Sequence, residues 1–118
     1  MEFVAFLGND KENWGQVVAL LNHLPELEKA ILIKSSKEFF PSADKTKIIQ
    51  IDTTLPLTEL TNKLKESLKK ELSKEFEVAL SLASGTGKEH MALISALISV
   101  PVGIKLVVFS TKGIEFLT

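Results

Sequence analysis

The sequence has no cysteine, no arginine and no tyrosine, and a single tryptophan. Without cysteine there is no disulfide framework, no thiol nucleophile and no Cys-ligated zinc. Without arginine, all fourteen basic residues are lysines, which removes bidentate guanidinium clamps, arginine fingers and Arg-His nuclease motifs. No sign of charge dominates either. A net charge of -1 argues against a broad grip on duplex nucleic acid, which needs many neutralised phosphates, but is compatible with a ligand bearing a few. The longest apolar run, around Met91 to Val102, is interrupted by Ser95, Ser99 and Pro101 and is too short to span a bilayer, so no membrane partner is expected. Met1-Glu2-Phe3-Val4 offers neither a basic n-region nor a cleavage site, so secretion is not expected and the chain reads as cytoplasmic.

What remains is an ordinary globular composition, 118 residues of which 45% are hydrophobic and 25% charged, enough for one core and one domain over residues 1–118. Phe3 to Leu7 reads as a buried strand ending in Gly8-Asn9-Asp10. A helix follows, with Asn9 or Asp10 as its cap and Trp14, Val17, Val18 and Leu21 on one face until Pro25. Ala30 to Ile33 and Ile48 to Ile51 are further strands, joined by a polar connection from Ser35 to Lys47 with room for a short helical turn. Thr54-Leu55-Pro56 opens an amphipathic helix with Leu57, Leu60, Leu64, Leu68 and Leu72 in one stripe. Its other faces, with Lys69, Lys70 and Lys74 interleaved among Glu66, Glu71 and Glu75, read as a solvated surface and not as a nucleic-acid patch.

Val78 to Leu82 is the fourth strand, followed by the glycine loop Ser84-Gly85-Thr86-Gly87-Lys88 and an apolar helix to about Ser99. Ile104 to Phe109 and Ile114 to Leu117 form a terminal hairpin around Thr111-Lys112-Gly113. Strands alternating with helices predict a doubly wound, Rossmann-like α/β fold: a mostly parallel sheet of order 3-2-1-4-5-6 with an antiparallel C-terminal hairpin. The strand order then reverses between strands 1 and 4, so a ligand is expected at their carboxyl ends.

Two loops meet at that point. Gly8, Asn9 and Asp10 leave strand 1; Ser84, Gly85, Thr86, Gly87 and Lys88 leave strand 4 with backbone amides, hydroxyls and one ammonium suited to phosphate. The plain alternative is a turn at the glycines with Thr86 capping the helix. Walker A is excluded by Leu82 and Glu89 at the positions that need Gly and Ser or Thr. A dinucleotide fingerprint would need a third glycine where His90 stands. No His and carboxylate cluster has metal-ligand spacing, so neither metal nor cofactor is expected.

The segment Ser84-Gly85-Thr86-Gly87-Lys88-Glu89-His90-Met91-Ala92, followed by the apolar helix and Val102-Gly103-Ile104-Lys105-Leu106-Val107-Val108-Phe109, resembles the glycine-threonine-glycine and basic-residue signature of CRISPR-associated Rossmann-fold (CARF) domains. The chain resembles a stand-alone, single-domain member of that family. The resemblance implies binding of a cyclic oligoadenylate second messenger across the two-fold axis of a homodimer, in CRISPR-linked antiviral defence. Some members also cleave that ligand as ring nucleases, by attack of a ribose 2'-hydroxyl on the adjacent phosphodiester without metal. Carried onto this chain, Lys88 balances phosphate charge, the amides of Gly85 to Gly87 and the Thr86 hydroxyl bind phosphate oxygens, and Asn9 or Ser84 meets ribose or base. A protein-interaction scaffold with an empty loop is the reading from another class.

Four residues have plain readings alongside: Asn9 as helix cap, Trp14 as packing, His23 and His90 as solvated side chains. The helix after the glycine loop is apolar on two sides. Met91, Ile94, Leu97 and Ile98 make one stripe, and Ala92, Ser95, Ala96 and Ser99 another, so it needs two partners: the sheet, and either a second copy or the first helix or hairpin.

Overall fold

The computed structural model describes residues 1–40, 44–72 and 76–118. Its strands are β1 (Glu2–Leu7), β2 (Lys29–Lys34), β3 (Thr46–Gln50), β4 (Glu77–Ser81), β5 (Gly103–Ser110) and β6 (Gly113–Phe116). They form one sheet of order β3-β2-β1-β4-β5-β6. All pairs are parallel except the β5-β6 hairpin, as the alternation of strand and helix patterns predicts. β1 and β2 are buried along nearly their whole length because helices or loops cover both faces, which is why they read as continuous apolar runs without alternation.

Alternate residues of β1 serve two separate cores. Val4 and Phe6 join Ile31, Ile33, Val78 and Leu80 beneath helices α2 (Leu57–Glu71) and α3 (Gly87–Ser99). Phe3, Ala5 and Leu7 face the opposite way, toward Val17, Leu20 and Leu24 at helix α1 (Trp14–His23). In α2 the leucine stripe is in place, with Leu60, Leu64 and Leu68 fully buried and only Leu57, at its start, exposed.

Two local readings change. α1 does not start at an Asn9 or Asp10 cap; a short 3-10 turn, Lys11–Asn13, precedes it, and its buried face is centred on Val17 and Leu20 while Val18 is exposed. Beyond the sheet, to which β5 of the hairpin belongs, the second partner of α3 within the chain is α2 and not α1. Ala92 and Ala96 face the core shared with Leu60, Leu64 and Leu68 of α2, small side chains allowing a close approach of the two helices. The connection from Ser35 onward forms no regular element among its described residues, and Pro41, Ser42 and Ala43 lie outside them. Lys74 and Glu75 also lie outside; Glu71 is engaged, its carbonyl and carboxylate receiving Lys29 Nζ at 2.6 and 3.2 Å.

Candidate functional site

The strand order reverses at β1, and the loops leaving β1 and β4 lie against each other there. The approach is close enough to demand glycine. A Cβ on Gly8 would fall 2.7 Å from Gly85 Cα and 2.5 Å from Asp10 Oδ1. Gly85 needs glycine for a different reason, its φ of +110°. The contact is tied by side chains: the buried Ser84 hydroxyl accepts from Gly8 N at 2.9 Å and donates to Asp10 Oδ1 at 2.7 Å. Asp10 Oδ1 also accepts from Gly85 N at 3.1 Å, and Oδ2 from Asn13 Nδ2 at 2.8 Å. Burial pushes the Asp10 carboxyl up, but the hydrogen bonds from Asn13, Ser84, Gly85 and its own backbone together outweigh it and hold the group below the ordinary carboxylate range. Trp14 Nε1 donates to Gly8 O at 2.8 Å while its ring meets Phe40 edge-on, so Trp14 clamps the loop.

The start of α3 is capped by its own residues. Thr86 Oγ1 accepts from Glu89 N at 3.2 Å, and the buried Glu89 carboxylate accepts from Thr86 N at 2.7 Å, a reciprocal capping box. The Thr86 cap of the plain alternative reading is present. His90 folds back so that Nε2 lies 2.7 Å from Ser84 O; a carbonyl can only accept, so Nε2 carries the proton in this bond. Lys88 is exposed and its Nζ donates to Thr53 O at 3.1 Å, which ties the loop before α2 to the same end of the sheet. Next to that ammonium the exposed Asp52 carboxyl is lowered, first by the Thr54 hydroxyl and amide and more weakly by Lys88 and Lys63.

The eight residues singled out in the sequence thus gather at one end of the sheet and divide into two groups. Gly8, Asp10, Ser84 and Gly85 form the latch between the loops; Asn9, Thr86, Gly87 and Lys88 are exposed above it. Two of the amides expected to receive phosphate, those of Gly85 and Thr86, hold the carboxylates of Asp10 and Glu89 instead. Glu89 is buried in the capping box, and His90, expected as a solvated side chain, is bonded to the glycine loop. The spacing Thr86-x-x-Glu89 was the available signal for the first; nothing local signals the second.

A cavity of about 290 Å³, lined by Ser35, Gln50, Ile51 and Asp52, opens at the same end of the sheet, beyond β2. Another of about 640 Å³ lies at the opposite end, between α1 and the starts of β2 and β3, away from the glycine loop. Among the described residues no group of three or more His, Cys, Asp or Glu is placed to hold a metal, and no helix is long and apolar enough to cross a membrane. Fold and site together define a doubly wound, Rossmann-like α/β domain with a latched glycine loop at its switch point. Comparison with protein-family models, curated proteins and solved structures finds no match for this chain.

Proposed function

We propose that this chain is a CARF-type domain that binds a cyclic oligoadenylate in the cytoplasm, as a homodimer, over the joined loops of β1 and β4. The observation that carries the reading is the convergence of Gly8-Asn9-Asp10 and Ser84-Gly85-Thr86-Gly87-Lys88 at the reversal of strand order, where doubly wound sheets take their ligands. Asn9 supplies an amide for ribose or base, and Thr86 a hydroxyl for phosphate. Gly87 N–H, in the first turn of α3, and the Lys88 ammonium supply positive potential for the same group. The latch below holds these groups in position before the ligand arrives, which lowers the ordering cost of binding.

The dimer reading is supported by the outer face of α3. Lys88, Met91, Ser95 and Ile98 share one stripe, with Met91 58% and Ile98 63% exposed. Two copies joined through this stripe bring both lysine heads toward one two-fold axis, where a ring-shaped ligand spans both sites. Met91→Glu is expected to convert the dimer to monomer in sedimentation and to weaken ring binding, without loss of monomer fold.

The test incubates purified protein with cyclic tetra- and hexa-adenylate in the absence of metal. Retained, intact ring identifies a sensor; a linear product ending in 2',3'-cyclic phosphate identifies a ring nuclease; binding of neither ring by an intact dimer overturns the ligand reading in favour of a scaffold. Two variants sharpen it. Lys88→Ala is expected to weaken ring binding by about tenfold or more while stability changes by no more than about 0.5 kcal/mol, because an exposed charge on a backbone carbonyl contributes little to folding. Gly87→Ala is expected to leave stability unchanged or raise it slightly, since nothing lies within 4 Å of a Cβ there. A fall in ring affinity for Gly87→Ala then reports close approach of the ligand to the backbone.

A further inference from the structure

We propose that the Asp10 carboxylate is a resident anion, filling a hole built for a small oxyanion that a phosphate group takes over on binding. The hole is defined by its donors. Ser84 Oγ–H at 2.7 Å and Gly85 N–H at 3.1 Å converge on one carboxylate oxygen, and Asn13 Nδ2 reaches the other at 2.8 Å. None of these groups is an amide of helix α3, which begins only at Gly87, and the Ser84 and Gly85 bonds to Asp10 span 74 and 75 positions of sequence. A phosphate group presents the same acceptor chemistry as the carboxylate, through two non-bridging oxygens in a phosphodiester or four oxygens in inorganic phosphate. Ser84 is itself supported, since its oxygen accepts from Gly8 N while its proton points outward to the anion. The hydroxyl is therefore committed as a donor toward whatever occupies the hole.

Release is sterically simple. Asp10 is partly exposed, and Asn13 beside it is exposed, so the carboxylate can turn outward into water without entering an apolar surface. Gly8 is held by a separate bond from Trp14, so the β1 loop keeps its place when Asp10 leaves. Beside Gly85 stand the Glu89 carboxylate and the His90 ring, each 3.1 Å from where a Cβ would lie, and Lys11, next to Asp10 in sequence, is paired with Glu38. A site that is filled by its own carboxylate binds an incoming anion with an affinity reduced by the fraction of time the hole stands open. Asp10 thus sets the ligand concentration at which the domain responds. The phosphate of a cyclic oligoadenylate is the natural occupant if the function proposed above holds, and that part of the inference rests on it; the oxyanion hole does not.

The experiment compares wild type, Asp10→Ala and Asp10→Asn for binding of inorganic phosphate, by calorimetry and by phosphate-dependent shifts of the Gly8 and Gly85 amide resonances. Both variants are expected to bind phosphate at least about fivefold more tightly than wild type, with the Gly85 resonance moving on titration. Asp10→Asn keeps an oxygen acceptor for Ser84 and Gly85, so it preserves the fold should the alanine variant be too unstable to measure. Phosphate binding equal to or weaker than wild type in the folded variants overturns the proposal and leaves Asp10 as a structural tie. A parallel titration with cyclic tetra-adenylate separates the two readings: tighter ring binding by Asp10→Asn supports the displaced-anion model, and weaker ring binding overturns it while keeping the ligand. Absence of ring binding in all three proteins removes the ligand reading, and the phosphate comparison still decides the oxyanion hole.

Discussion

Replacing Gly8 by alanine is expected to destabilise the protein by about 2–4 kcal/mol, a large share of the roughly 5–15 kcal/mol that holds a domain of this kind together. The backbone angle is not the reason. Gly8, unlike Gly85, needs no positive φ; what it lacks is space, because a Cβ would meet Gly85 Cα at 2.7 Å and Gly85 N at 2.9 Å. These are backbone atoms on β4's own exit and cannot swing aside as a side-chain tip does. Relief requires the two loops to separate, which stretches the buried bond from Gly8 N to Ser84 Oγ and disturbs the hold of Asp10 on Gly85. The loss therefore combines overpacking with a weakened buried hydrogen bond. Denaturant unfolding measures it as a lower midpoint at unchanged m-value. Stability within about 0.5 kcal/mol of wild type would mean that the loops part at little cost, and that their contact does not hold the site together.

The order of the sheet was legible in the sequence because each element announced itself separately. Short apolar runs such as Phe3 to Leu7 and Val78 to Leu82 were bounded by glycine or polar punctuation, and the leucine period of α2 left little doubt about which face it buried. Given those elements, the avoidance of left-handed crossovers restricts the topology to few solutions. The start of α1 was less legible, since Asn9, Asp10 and Asn13 are all good cap residues and local sequence does not rank them. What decided it was long range: Asp10 finds three donors, two of them on the β4 loop and more than seventy positions away, and is withdrawn from capping duty.

The same limit applies to the site. That Gly8-Asn9-Asp10 and the glycine loop face one another followed from topology, and so could be read in advance. That the Gly85 and Thr86 amides are filled by Asp10 and Glu89 depends on side-chain placement at the level of a hydrogen bond. A pattern of residue types shows that donors are available but not what already occupies them. Trp14 illustrates the point from the other side: its helical spacing predicted packing correctly, but its bond to Gly8 O, which makes it a brace for the loop leaving β1, has no signature in the period.

Phe6→Ala is expected to have the largest effect, about 3–5 kcal/mol of lost stability, because the ring is fully buried in the core beneath α2 and α3 and alanine leaves a cavity there. For a chain of 118 residues this is a fall in melting temperature of roughly 10–20 °C. Phe6 also has a local role: it stands two residues before Gly8, and its ring packs in one core with Leu80 of β4 and Ala92 and Leu93 of α3, the two elements that flank the glycine loop, so loss of the ring loosens their seat. Leu64→Ala is the matched control: Leu64 is fully buried in the same core but comes from the middle of α2, and its loss is expected to cost about 2–5 kcal/mol. Measured on the folded fraction at low temperature, phosphate and ring affinity are expected to fall in Phe6→Ala and to stay near wild type in Leu64→Ala. Equal affinities in both variants would assign the position of the loop to the latch formed by Asp10 and Ser84 alone, with the core supplying stability but no local support.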